Sequence, residues 1–561
     1  MTKRKDFYWL NDDSRLFLSR GYLLEGQTAE ERLKDIANEA EKILGIKGFA
    51  DKFHGYLAKG YYSLSTPVWT NFGIKDRGLP ISCYGQSIED DIGDILFSAS
   101  EVGVMSKLGG GTSGYFGNLR ERGAKITNNG ESSGSVHFMK LFEQMTDTIS
   151  QGSSRRGRYA PYLPIDHPDA LEFLEIGTEG NDIQDVNHGV TVTDDWMIQM
   201  IGGDEEKREL WAKVLKSRVE IGYPYIFFTD AVNDNKPKWY EDYPITHSNL
   251  CSEIALPDNN EWSFVCNLSS MNALHFDEWK DTDAVETMTF FLDAVMTEFI
   301  EKLEAYRDSK KPDQNKVFLF MEKAYNFAKA NRALGLGVLG WHSLLQSKMI
   351  PFESIDASLL NEELFKTIQE RSIVASEKLA EMFGEPLVME GTGRRNATLL
   401  AVAPTTSSAF ILGQVSQSIE PIWSNNYIKD IAKAKIEIKN QYLEEVLEKY
   451  GKNDRETWVD IRNHDGSVQH LDYLTENERE VFKTFSEINQ YEVINQASIR
   501  QRYIDQSQSL NIMVNPATST KDINALHIYA WENGIKTLYY QHSTNAAQAL
   551  FRSSVCLACE A

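Results

Sequence analysis

Between Thr28 and Leu44 the chain reads TAEERLKDIANEAEKIL, with apolar residues returning every three or four positions, the period of a helix that buries one face. Thr28 and Glu31 have the spacing of a capping box, so the helix is predicted to begin there. This pattern marks an N-terminal helical region, residues 1–60. From 61 to 430 the period changes repeatedly. HGVTVTD (188–194) and YPYIFFTD (223–230) predict strands, whereas SVHFMKLFEQMTDTISQ (135–151) and ETMTFFLDAVMTEFIEKLEAY (286–306) predict amphipathic helices. Such alternation favours an α/β architecture with largely parallel strands. Residues 431–510 are charged and read as a helix-rich insertion or separate lobe, as in IAKAKIEIKNQYLEEVLEKYGKNDRETW. Apolar patterning returns over 511–545, through LHIYAWENGIKTLYYQ, and 546–561 read as a mobile tail.

At 63.8 kDa and 42% hydrophobic content, the chain is large enough for one big domain with appendages or for several domains. A formal charge of −24 argues against nonspecific binding to nucleic acid, which needs a basic face. It still permits a small anionic ligand held by backbone N–H groups and a few arginines. No apolar run approaches the ~18 residues of a membrane span. The start, MTKRKDFYWLNDDSR, is basic but has no apolar core, so no secretory signal is expected. Thiols without such a signal point to the cytoplasm.

The chain has five cysteines: Cys83 (PISCYGQ), Cys251 (SNLCSEIALP), Cys266 (FVCNLSS), and the pair Cys556 and Cys559 in SSVCLACEA. An odd number at unequal spacing does not form a disulfide framework, and a terminal Cys-x-x-Cys suits redox exchange. Half a zinc site is the competing reading, but it needs two further ligands and no paired knuckle spacing supplies them. No metal ligand set is therefore expected. If SNLCSEIALP is extended, Asn249, Cys251 and Glu253 share one face, offering an anchor, a redox or radical centre and a general base. An ordinary strand with one buried Cys has the same pattern. GGGTSGYFGNLRERG (109–123) and QGSSRRGRYAPYLPIDHPD (151–169), the latter with Arg155, Arg156 and Arg158, are loops able to wrap phosphates. In VAPTTSSAFILGQ, Thr405, Thr406, Ser407 and Ser408 stand at a candidate helix start, where N–H groups and hydroxyls can cradle a phosphate or simply cap the helix. Gly335, Gly337 and Gly340 have G-x-G-x-x-G spacing, but the preceding segment reads as a helix, so close helix packing is expected there in place of a dinucleotide. Tyr539 and Tyr540 are either the core and surface aromatics of one strand or a redox pair near a thiol. No E-x-x-H motif of a di-metal bundle occurs, so a metal-generated radical would come from another polypeptide.

Together these segments resemble the large, catalytic subunit of class I ribonucleotide reductase. The likeness runs from about residue 60 to the end, through ISC, SNLCSE, VCNLSS, the Pro-Thr-Thr-Ser-Ser stretch, KTLYYQ and the two-cysteine tail. It implies a ten-stranded α/β barrel of two five-stranded halves, with Cys251 on a central finger loop. It also implies that a thiyl radical on Cys251 removes the 3′-hydrogen of a ribonucleoside diphosphate while Glu253 takes the 3′-OH proton. Asn249 would hold the substrate hydroxyls. Cys83 would protonate the leaving 2′-OH and, with Cys266, supply two electrons and end as a disulfide. Thr66, Ser82, Pro404, Thr405, Thr406, Ser407 and Ser408 match substrate-binding elements. Tyr539 and Tyr540 match a radical relay, and Cys556 and Cys559 a shuttle to thioredoxin or glutaredoxin. Asp90 and Arg120, with a substrate-selecting loop at 179–187, match a site for an effector such as dATP, dTTP or dGTP. The family's partners follow: a metal-containing, radical-generating beta subunit and a second copy of the chain in a homodimer, with no cofactor bound by this chain itself. The roughly hundred-residue effector lobe that often opens the family is not matched, so activity control by dATP is not expected here. A cobalamin-dependent reductase of the same barrel is the nearest alternative, and the tyrosine pair argues against it. A regulatory binding protein would not need all five thiols, and a thiol–disulfide oxidoreductase would place its Cys-x-x-Cys at a helix start in a small βαβ fold.

Overall fold

The computed structural model describes residues 5–151, 157–431 and 434–543; Arg155, Arg156, Cys556 and Cys559 lie outside the described residues. Thr28 caps the helix Ala29–Leu44 with both hydrogen bonds of the box. Its buried face, with Leu33, Ile36, Ala37 and Ala40, packs toward the long helix Ala284–Arg307. Arg32 on the same helix is buried and donates to the carbonyl oxygens of Val68, Trp69 and Phe72, which end the helix Thr66–Asn71. Orphan carbonyls at a helix end are thereby satisfied, and the N-terminal region braces the segment carrying Thr66.

Five strands, Cys83–Ser87, Gly111–Tyr115, Arg158–Pro164, Gly189–Val192 and Tyr225–Phe228, pair in parallel in chain order. The apolar YIFF suits a strand covered on both faces, whereas CYGQS and GTSGY are rich in small and uncharged polar residues. A second parallel set starts with Phe264–Asn272 and Leu334–Leu339. It continues through bridges from Leu336 to Leu400 and from Val402 to Gln508, then through Ile512–Val514 paired with Gln541–Ser543. The halves meet antiparallel at two seams, Cys83–Ser87 on Phe264–Asn272 and Thr537–Leu538 on Tyr225–Phe228. Two sets of five joined at two seams make the expected ten-stranded barrel.

Several local readings need correction. The stretches 109–123 and 151–169, read as loops able to wrap phosphates, carry the barrel strands Gly111–Tyr115 and Arg158–Pro164. Gly335 and Gly337 do not serve helix packing; they lie within the strand Leu334–Leu339. A Cβ at Gly335 would fall 2.5 Å from Leu268 Cδ2 and 3.0 Å from Cys266 Sγ, and one at Gly337 2.8 Å from the Ala401 carbonyl oxygen. Gly340, at φ +76°, turns the chain into the helix Trp341–Ser347. Next, AKIEIK is not helical. Its period-two alternation forms a strand of the antiparallel hairpin Asn426–Ile431 and Ala434–Lys439. Beyond the hairpin, Leu443, Val446, Leu447, Trp458, Ile461 and Phe482 build a hydrophobic cluster of their own, whereas Ile494 and Ala497 on the helix Gln490–Gln501 join the main core. A further correction, to the finger loop, belongs to the site.

Candidate active site

The segment from Thr246 to Asp258 threads the barrel and touches both halves. Tyr162 Oη donates to the Asn249 carbonyl oxygen at 2.8 Å from the first half. From the second, Ser509 Oγ donates to the Cys251 carbonyl oxygen at 2.5 Å, Thr537 Oγ1 to that of Ser252 at 2.8 Å, and Ser507 N–H to that of Glu253 at 2.9 Å. The loop is not an extended strand. Asn249 to Ser252 form a turn in which Ser252 adopts φ +65°, a left-handed conformation costly for a side chain other than glycine. Four hydroxyl and amide donors from the wall offset that cost. The turn, with no help from a strand pleat, brings Asn249, Cys251 and Glu253 together.

Cys251 and Glu253 open onto a cavity of about 1240 Å³, which Thr66, Ser82, Cys83, Pro404, Thr405, Thr406, Ser407 and Ser408 also line. All of the predicted substrate-binding residues therefore share one space, roomy enough for a nucleotide. The helix Thr406–Ile411 starts where the hydroxyl run predicted, with Thr405 at φ +54° as its cap. Asn249 lies behind this surface, its Oδ1 accepting from Ile254 N–H at 3.1 Å and its amide close enough to Glu253 to favour the carboxylate. Ser509 Oγ lies 3.1 Å from Glu253 Oε2. Burial outweighs both and pushes the Glu253 carboxyl up to about 7.

Cys83 and Cys266 face each other in register across the antiparallel seam. Directly opposed residues there have Cα atoms ~4.5–5.5 Å apart, inside the range a disulfide spans, although the three described cysteines carry no disulfide. Their surroundings differ. Cys83 is part of the cavity wall, whereas Cys266 is 1% exposed and lies behind it. Gln506 Nε2 donates to Cys266 Sγ at 3.3 Å, while burial holds that thiol well above its ordinary range.

Tyr539 and Tyr540 are both buried, so the reading as one core and one surface aromatic fails. Their ring centroids are 4.3 Å apart, and they belong to an aromatic cluster against which Cys251 packs. The Tyr225 ring lies tilted at 4.7 Å from Tyr539, and His542 stacks at 5.4 Å from Tyr540. Asn187, at the end of the 179–187 loop, donates from Nδ2 to the phenolic oxygens of Tyr225 and Tyr540 at 2.6 and 2.9 Å. Asp90 and Arg120 form an ion pair at 2.6 Å that takes no part in the cavity wall. Pattern reading missed Asn187, Tyr225, Gln506 and Ser509. It also missed Glu420, a buried carboxyl on the cavity wall that burial raises to about 7 and that accepts from Asn511 Nδ2 at 2.8 Å. The available signal was uncharged polar residues in buried strands, as in QSQSLN.

Residues 81–207, 199–392 and 387–541 match the family model described as the ribonucleotide reductase barrel domain. The chain is 30% identical over 605 residues to the ribonucleoside-diphosphate reductase large subunit of Invertebrate iridescent virus 3, covering 94% of this chain and 92% of that protein. It is 27% identical to large chain 2 of the same reductase from Saccharomyces cerevisiae, over 96% of this chain and 70% of the yeast protein. Among solved structures, the alpha subunit of the class Id ribonucleotide reductase of Actinobacillus ureae is 53% identical and superposes with a TM-score of 0.90, covering 97% of this chain and 99% of that one.

Proposed function

The chain belongs to the ribonucleotide reductase large-subunit family, and we propose that it reduces ribonucleoside diphosphates at the cavity carrying Cys251. It is the catalytic subunit of a class I enzyme, in which the metal-dependent radical is made on a partner beta subunit. One observation carries the assignment of roles: Cys251, Glu253 and Cys83 line a single cavity, with Cys266 in register behind Cys83.

A thiyl on Cys251 takes the 3′-hydrogen, and Glu253 takes the 3′-OH proton. With a radical at C3′, the 2′-oxygen leaves once Cys83 protonates it, and Cys83 with Cys266 supplies two electrons as the disulfide forms. Asn249 orients the hydroxyls. The first turn of Thr406–Ile411, with Thr66 and Ser82, holds the substrate. Tyr540 receives the hole from the beta subunit and passes it through Tyr539 toward Cys251; their 4.3 Å ring separation supports transfer between the two. Cys556 and Cys559 carry electrons from thioredoxin or glutaredoxin. An effector such as dATP, dTTP or dGTP binds near Asp90 and Arg120 and acts through 179–187. Exposed Ile92 and Leu96 on the helix Ile92–Lys107, beside exposed Leu141 on the neighbouring helix Ser135–Thr148, suit a homodimer contact.

The test is product formation from CDP with a small dithiol. Activity is expected with a radical-generating beta subunit and absent with either chain alone. Turnover by this chain with adenosylcobalamin alone would place it in the cobalamin-dependent class.

A further inference from the structure

Resting on that cycle, we infer that the oxidised pair is re-reduced by attack on Cys83 alone, with Cys266 as the leaving sulfur and Gln506 as the residue that receives it. The two sulfurs of the pair are chemically alike but not alike in access. Displacement at a disulfide sulfur runs nearly in line, so the incoming thiolate approaches each sulfur from the side opposite its partner. Cys83 lines the cavity, which gives an incoming thiolate access to its sulfur. Cys266 is buried off that wall, with Gly335 so close that an added Cβ would lie 3.0 Å from Sγ. Access and the identity of the attacked sulfur govern the rate of exchange.

The electron count closes on a dithiol reductant. Its thiolate bonds to Cys83 Sγ, and the Cys83–Cys266 bond breaks with its electron pair going to Cys266, which then takes a proton from water. The second thiol of the reductant attacks the mixed disulfide, freeing Cys83, which is protonated in turn. The reductant leaves as a disulfide, and the pair has gained two electrons and two protons.

Cys266 is a poor place to leave a thiolate. It is buried, and the negative charges of Glu253 and Asp505 oppose it. Gln506 is the side chain that donates to it, and its amide is locked in that orientation. Gln506 Oε1 accepts from Ala255 N–H at 3.2 Å, while the two hydrogens on Nε2 are shared among Cys266 Sγ, the Leu334 carbonyl oxygen and Thr398 Oγ1, the last two each at 3.0 Å. A fixed donor at the leaving atom stabilises charge that appears only as the bond breaks.

The experiment uses the full chain in a Cys556→Ser, Cys559→Ser background, so that added reagents are the only exchange partners. First, peptide mass mapping after one turnover must find the Cys83–Cys266 disulfide; its absence would take down the proposed cycle itself, and this inference with it. Second, Cys251→Ser is added to that background and combined with either Cys266→Ser or Cys83→Ser, so that one thiol remains in each variant, and both are treated with 5,5′-dithiobis(2-nitrobenzoate). Cys83 is expected to exchange at least ~100-fold faster than Cys266, in keeping with control of exchange by access, and comparable rates would overturn the choice of sulfur. Third, the rate at which dithiothreitol reduces the disulfide is compared in that tail-cysteine background with and without Gln506→Leu. A loss of ~10-fold is expected for removing a donor from a developing charge, with labelling of Cys83 in the same variant unchanged. Equal slowing of both, or of neither, would refute the role of Gln506.

Discussion

Ser509→Ala separates the proton chemistry of the site from its architecture. Ser509 has one hydroxyl hydrogen, placed between the Cys251 carbonyl oxygen at 2.5 Å and Glu253 Oε2 at 3.1 Å. A hydrogen bond to a charged group contributes ~1.5–3 kcal/mol; with the hydrogen shared, about 1 kcal/mol is a fair share for the carboxylate. At 1.36 kcal/mol per unit, losing it raises the Glu253 carboxyl by ~0.7 units from its value of about 7. The sign follows from the role: the base must be ionised, so activity rises with pH through this value, and a higher value moves the rising limb to higher pH. At pH 7 the ionised fraction falls from about one half to about one sixth, a loss near 3-fold that grows to ~5-fold at pH 6 and vanishes by pH 9. The assay is kcat/KM against pH with the beta subunit and a dithiol, because that ratio reports the groups of the free enzyme. An unmoved limb, or a loss of equal size at every pH, would refute Glu253 as the titrating base and leave Ser509 a support for the loop.

Other outcomes follow from the same geometry. Cys251→Ser should remove all turnover while retaining nucleotide binding, and any deoxynucleotide above background would contradict the radical role of Cys251. Tyr539→Phe should also stop turnover with binding intact, since phenylalanine does not carry a hole at an accessible potential; near-normal activity would break the relay. Calorimetry with dATP should find one site per protomer, abolished by Asp90→Ala, and a second saturable site coupled to inactivation would contradict the single effector site. Gly335→Ala should destabilise the barrel by ~1–3 kcal/mol through overpacking against Leu268 and Cys266, read by denaturant titration.

Asn249, Cys251 and Glu253 were singled out on a strand spacing that the structure does not keep; the turn at Ser252 that unites them depends on Tyr162, Ser507, Ser509 and Thr537, which lie far away along the chain. The parallel strands Gly189–Val192 and Tyr225–Phe228 were legible as runs of apolar and β-branched residues, whereas Gly111–Tyr115 and Arg158–Pro164, with their glycines, hydroxyls and prolines, read as loops. The partnership of Cys83 with Cys266 was not legible from local pattern, since register across a seam is a property of the closed barrel; only the family likeness pointed to it. Gln506 and Asn187 stayed silent because an amide that anchors a site is indistinguishable in sequence from one that faces solvent. The hairpin at 426–439 was hidden by its charge, although its alternation was present.

Cys83 and Cys266 stand on different halves of the barrel, which gives their bond a mechanical meaning. On the proposed cycle, each product formed ties one half to the other across the seam and closes a loop of roughly 180 residues, worth about 5 kcal/mol of denatured-chain entropy. The spent enzyme is then the tougher form, harder to melt or digest, and the reduced enzyme ready for substrate is the more fragile. Resistance to heat or protease should thus rise and fall with every catalytic round, so that a population stalled for want of reductant outlasts one that is working.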